Sequence, residues 1–158
     1  MKKISLNFGK NKMDRDTYLQ LIRSVFCSEF AFYLKAANFH WNVEGSDFYE
    51  FHLLFERIYT EVYDIIDDFA EEIRALRAQT PADLITLQSL SQITPQPQVL
   101  PAMAMAQELL ADSDLLAETF GMAFTEAEQQ GDHGLSNFLA DRQNAHRKHS
   151  WMLRSSLK

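Results

Sequence analysis

SDFYEFHLLFERIYTEVYDIIDDFAEEIRALRAQT, residues 46–80, contains neither glycine nor proline. Within it Phe48, Phe51, Phe55, Ile58, Val62, Ile65, Phe69, Ile73 and Leu76 recur every three or four positions, a single apolar stripe along one helix. This pattern predicts a continuous helix across the stretch and an all-α fold. Beside the apolar stripe runs a second row, His52, Glu56, Asp67 and Glu71, in which each pair is spaced i to i+4 and so stacks on one face. At about 100° per residue the four fall within an arc of about 100°, separate from the acidic row Glu61, Asp64, Asp68 and Glu72.

Outward from this helix the punctuation is sparse. From Lys10 to Glu44 there is again no glycine or proline, and Phe26, Phe30, Tyr33, Ala37 and His40 keep helical spacing, predicting a first helix from about Arg15 to Asn42 capped by Asp14 or Asp16. All four prolines, Pro81, Pro95, Pro97 and Pro101, lie in one window that encloses a short amphipathic piece, Ala82 to Leu90. We read that window as a long crossover carrying a small helix. A third long helix follows from about Ala102 to Gln130, with Gly121 a tolerated weak point, and a fourth from about Gly134 to Ser155 after the turn Gly131, Asp132, His133, Gly134. Four long helices with a long crossover between the second and third are typical of ferritin-like bundles rather than simple up-down ones. Residues 1–13, with Lys2, Lys3, Lys10 and Lys12, read as a basic arm, and 14–158 as a single bundle domain.

Composition bounds the function. The 158 residues are 46% hydrophobic, enough for one substantial core and too few for two ordinary domains. A net charge of −7 repels nucleic acid and anionic membrane and favours cations. Cys27 is the only cysteine, so internal disulfides and multi-cysteine zinc sites are excluded; a buried free thiol and a cytoplasmic, reducing setting are expected. No stretch approaches the ~20 apolar residues of a membrane span, and no apolar leader follows Lys2 and Lys3.

The mixed His and carboxylate row is the candidate chemistry. Eleven residues from Glu56 to Asp67 rise about 16 Å, too far for one helix to wrap all four ligands around one ion. Two arrangements remain: unrelated surface pairs, or an antiparallel second copy that sets His52 and Glu56 of one subunit opposite Asp67 and Glu71 of another, giving two sites on a two-fold axis. His40, in line with the first helix's apolar stripe, is a natural fifth ligand. Nitrogen and oxygen donors without thiolate suit iron, zinc or manganese.

These residues resemble the Dps-like miniferritins (DNA-binding proteins from starved cells) of the ferritin-like superfamily. The resemblance rests on His40-Trp41-Asn42-Val43 with Gly45, on His52, Glu56, Asp67 and Glu71 at the family's ferroxidase spacing, and on Lys148-His149-Ser150-Trp151-Met152-Leu153-Arg154. It implies a hollow homo-dodecamer that oxidises Fe(II), preferably with hydrogen peroxide, and stores the ferric product as mineral. In that pattern Asp67 and Glu71 are the tighter iron ligands from one subunit, while His40, His52 and Glu56 come from its two-fold neighbour, with zinc a possible surrogate. The family usually has Asp where this chain has Glu56, so the longer side chain alters the second iron position while keeping its carboxylate. An intra-bundle ferritin site would need Glu-x-x-His pairs, and this chain has none.

The same resemblance makes Trp41 a group that could intercept a stray oxidising equivalent, against a plain role as a packed interface aromatic. It sets Asp132 and Asp141 beside a three-fold iron pore, with Asn137 where another acid is expected. The row Glu61, Asp64, Asp68 and Glu72 reads as a solvated face before a cage wall, and His133, His146 and His149 read as structural. Some family members coat DNA through lysine-rich termini; here the four arm lysines, repeated over a cage, are set against the overall negative charge, and DNA binding ranks below iron chemistry.

Overall fold

The computed structural model describes residues 12–158, which form six helical segments and no strand. The first, α1, spans Arg15–Asn42, where the sequence places it. Asp14 is its cap, accepting from the backbone N–H groups of Asp16 and Thr17, both at 3.1 Å.

The predicted long second helix is two. Segment α2 (Phe48–Asp64) and segment α3 (Ile66–Ala75) meet at Ile65, whose N–H reaches back three residues to the Val62 carbonyl at 3.3 Å instead of four. This is a one-residue 3₁₀ tightening, and the helix resumes at once with Phe69 N–H bonded to the Ile65 carbonyl at 3.0 Å. The apolar stripe crosses the break intact: Phe51, Phe55, Ile58, Val62, Phe69 and Ile73 are all buried. Segment α3 also stops short of Thr80. Arg77 adopts φ +61°, Arg77 N–H bonds the Arg74 carbonyl, and Ala78 N–H bonds the Ile73 carbonyl, a Schellman ending with a non-glycine residue in the left-handed position.

The crossover carries the short helix α4, Leu84–Leu90, capped by Asp83 and pinned by buried Leu87. Segments α5 (Ala102–Gln130) and α6 (His133–Ser156) are joined at Gly131, φ +78°, whose ending uses the same bond pattern as Arg77 but with the residue suited to it. Gly121, mid-way along α5, leaves room for the Gln143 side chain, which donates to the Ala117 carbonyl at 3.0 Å. The core closes around Phe69 of α3, whose ring meets Phe26 of α1 at 5.5 Å, Phe120 of α5 at 5.9 Å and Phe138 of α6 at 5.1 Å. Cys27 is buried among these helices, and burial pushes its thiol up to about 11, so it is a packing residue.

Candidate metal centre

His40 lies in the last turn of α1 and His52 in the second turn of α2, and the tight connection between the two helices folds them face to face. The rings stack with centroids 3.8 Å apart and planes 18° from parallel. His40 Nδ1 is 2.8 Å from the His52 carbonyl oxygen, and His52 Nδ1 is 2.9 Å from the His40 carbonyl oxygen. A carbonyl oxygen only accepts, so each Nδ1 carries the proton, and each neutral ring presents Nε2 as a lone pair. This backbone-fixed tautomer is what a metal-ligating imidazole requires. The His40 carbonyl is an unpaired acceptor of the helix end, so one pair of bonds satisfies the end of α1 and orients both rings.

Glu56 stands one turn beyond His52 on α2 and is exposed, as are Asp67 and Glu71, one turn apart on α3. The structure thus gathers His40, His52 and Glu56 at one end of the α2–α3 rod and leaves Asp67 and Glu71 toward the other. Among the described residues no three His, Cys, Asp or Glu side chains converge as a ready metal cage. Within one chain the five candidate ligands fall into two separate groups.

An apolar groove lies beside the histidine pair. Trp41 is 64% exposed beside His40, and with Leu34, Leu84, Ile93 and Pro95 it lines a groove of about 540 Å³ between α1 and the crossover. Tyr59 packs edge-on to His40 at 5.1 Å. Near the α5–α6 turn, Asp132 is half-buried and uses Oδ1 to cap α6 through Leu135 N–H at 3.1 Å, while Asn137 and Asp141 are exposed on α6. Glu72 is held above its ordinary carboxylate range by burial and then by the nearby charges of Asp132 and Asp68.

One expectation needs correction. Glu61 is not part of a solvated face: it accepts from Arg142 and lies 3.2 Å from His149 Nε2. His146 and His149, read as structural, are held by carboxylates from other helices: His146 Nε2 is 2.6 Å from buried Glu29 on α1, and His149 meets Glu61 on α2. Glu29 and Arg142 were missed in the sequence. The available signal was a lone acid inside the phenylalanine-rich stripe Phe26, Phe30 and Phe32. Lys35 follows the same pattern, buried on α1 and bonded to Asp112 of α5 at 2.6 Å.

Residues 19–158 match the ferritin-like domain family. General stress protein 20U of Bacillus subtilis is 30% identical over 79% of this chain and 86% of its own length, and DNA protection during starvation protein 2 of Bacillus anthracis shows the same identity and coverage. Among solved structures, Dps from Thermosynechococcus elongatus superposes with a TM-score of 0.87 at 27% identity, covering 91% of this chain and 92% of that one. Dps from Vibrio cholerae, described as one of the ferritin-like diiron-carboxylate proteins, gives 0.86 at 25% identity over 100% of both chains. Fold and relatives agree: this chain belongs to the ferritin-like family and, within it, to the Dps-like miniferritins.

Proposed function

We propose that this protein is a ferroxidase and iron store, a homo-dodecamer in which Fe(II) is bound and oxidised between two-fold-related subunits. The observation that carries the reading is the His40 and His52 pair, each ring locked by the other's backbone carbonyl with Nε2 free to ligate, on a chain whose matching carboxylates, Asp67 and Glu71, lie too far away to complete the same site. An antiparallel neighbour supplies what is missing: its Asp67 and Glu71 meet His40, His52 and Glu56 of the first chain, and the reverse pairing forms a second site.

Iron is the substrate. Two Fe(II) give up one electron each to hydrogen peroxide, the O–O bond breaks, two protons are taken up, and two water molecules and two Fe(III) result without release of a hydroxyl radical. Carboxylate donors favour the harder Fe(III) product, and neutral imidazoles hold Fe(II) before reaction. The same donors accommodate zinc as a competitor. Trp41, adjacent to His40 and exposed in the single chain, would be buried in the contact and donate an electron to an unpaired oxidising equivalent.

Anaerobic Fe(II) titration of the apo-protein followed by peroxide tests the reading: saturable binding and two irons oxidised per peroxide are expected. Asp67→Ala or Glu71→Ala should abolish rapid oxidation with assembly retained, and unchanged kinetics in both would remove the site assignment. Glu56→Asp should have a milder effect. A second reading, DNA protection, is favoured by the name of the Bacillus anthracis relative; the lysine arm proposed for it lies almost wholly outside the described residues. Deleting residues 1–12 should then abolish a salt-sensitive gel shift.

A further inference from the structure

At the middle of the bundle, away from the half-sites, five titratable side chains meet in an otherwise aromatic and aliphatic core. Arg142 of α6 donates through Nε at 3.1 Å and Nη2 at 2.7 Å to one oxygen of Glu29, which is fully buried on α1. The other edge of the same guanidinium donates to Glu61 of α2, from Nη1 to Oε1 and from Nη2 to Oε2, the latter at 3.1 Å. Each carboxylate also meets an imidazole one or two turns further along α6. His146 Nε2 lies 2.6 Å from the second oxygen of Glu29, and His149 Nε2 lies 3.2 Å from Oε2 of Glu61. Ser113 of α5 stands 3.1 Å from His146 Nδ1, and His149 Nδ1 is buried without a partner. Phe32 and Phe120 pack on the rings and exclude water from the interior side.

Two features of this cluster are not those of an ordinary brace. The first is its donor set. Ferritin-like bundles that hold metal internally use a Glu from each of two helices plus a Glu-x-x-His pair from each of the other two, all pointing inward; this chain lacks those pairs but presents a smaller set of the same donor types. Here Glu29 and Glu61 come from two helices, and His146 and His149 are the i, i+3 pair on a third. The second is its charge. Two carboxylates from different helices converge on one guanidinium at a place where unpaired charge is costly, so the core holds a cation at the point where they meet. Arg142 spans the gap that a dication would fill and keeps the four side chains from closing on one point, consistent with the lack of a ready cage among the described residues.

We propose that the bundle centre is a divalent-cation site whose built-in occupant is the Arg142 guanidinium: with that side chain present the core is closed to metal, and without it Glu29, Glu61, His146 and His149 form a nitrogen and oxygen site for Zn(II), Co(II) or Fe(II) within one subunit. Two carboxylates neutralise a dication fully, so electrostatics permit the exchange once the tethered competitor is gone. Arg142 thereby confines metal to the subunit surface, where the two half-sites lie. This assignment stands independently of the ferroxidase reading.

The test is Co(II) binding to the assembled full-length protein in an Asp67→Ala, Glu71→Ala background, comparing Arg142 with Arg142→Ala. The Arg142→Ala protein is expected to take up one additional Co(II) per chain, with the visible spectrum of an imidazole and carboxylate site and a cobalt-dependent rise in thermal midpoint. Adding His146→Ala should remove both, and Arg142→Lys should leave the core closed. Any metal bound elsewhere appears equally in the Arg142 parent and subtracts out. If Arg142→Ala does not fold alone, Co(II) should restore its helical circular dichroism only while His146 is present. A folded Arg142→Ala protein with no extra Co(II), an unfolded one that Co(II) does not restore, or a parent that already shows the His146-dependent spectrum each overturns the proposal.

Discussion

Glu61 and His149 touch at the rim of the buried cluster, and both titrate below their ordinary ranges. Burial works against the charge of Glu61, but bonds from His149 and Arg142 outweigh it and bring its carboxyl from 4.5 to about 2. For His149, burial is the largest cause and lowers it from 6.5, helped by the neighbouring charge of His146 and opposed by Glu61 and Glu29. Both folded-state values are depressed, so both contributions to stability are complete above the unfolded values and fade as pH falls. For His149 the loss begins as pH drops below about 6.5, where the unfolded ring takes a proton that the folded one resists. For Glu61 it begins below 4.5 and continues to about 2. Urea midpoints measured against pH should therefore decline in two stages. His149→Gln should flatten the upper stage and leave the lower one, and an unaltered upper stage would show that His149 does not carry it. None of this was legible in the sequence: Glu29 precedes Arg142 by 113 positions, and periodicity on one helix says nothing about partners on another. The i, i+4 pairs His52 with Glu56 and Asp67 with Glu71 stood out in the sequence because each spacing lies within one helix, whereas the stacking of buried His40 on His52 across the α1–α2 turn did not.

Helix boundaries were legible at the start of α1 and the end of α5, while the Asp83 and Asp132 caps that begin α4 and α6 were not singled out in the sequence. Asp14 and Asp83 begin α1 and α4 by accepting the first free N–H groups, and Gly131 ends α5 in a left-handed turn that its composition announces. The end of α3 is made the same way by a residue that gives no such signal. Arg77 at φ +61° places a Cβ against the following carbonyl, at a cost of roughly 1–2 kcal/mol that glycine avoids. Arg77→Gly should accordingly raise stability by about 1 kcal/mol, offset in part by the added freedom of the unfolded chain. The check is a urea midpoint shifted upward at constant slope; a fall would mean that the Arg77 side chain makes a compensating interaction. The break at Ile65 was hidden for a related reason. One residue of 3₁₀ geometry changes the backbone bonding without disturbing which side chains face the core, so the apolar stripe reads as continuous through Val62, Ile65 and Phe69.

At the scale of the whole molecule, the four-helix architecture followed from breaker-free stretches and one proline-rich window, whereas the proposed assembly draws on surface that a single chain does not cover. Leu84 and Ile85 on α4 are 75% and 83% exposed, and Trp41, Tyr49 and Leu53 around the histidine half-site are similarly uncovered. A second copy laid antiparallel on this face would bury these apolar side chains and in the same movement bring Asp67 and Glu71 to His40, His52 and Glu56. Assembly and iron binding are then one event. Ile85→Asp places a charge in the contact without touching a ligand or the core, since Leu87, not Ile85, anchors α4 to the bundle. Sedimentation should show the variant dissociated to folded monomers with parental helical content, and the same preparation should lose saturable Fe(II) binding and rapid oxidation together. Raising protein concentration should restore both in parallel. A monomer that oxidises Fe(II) at the parental rate would place the whole site within one chain and refute the two-fold arrangement, while an intact assembly would show that α4 lies outside the contact.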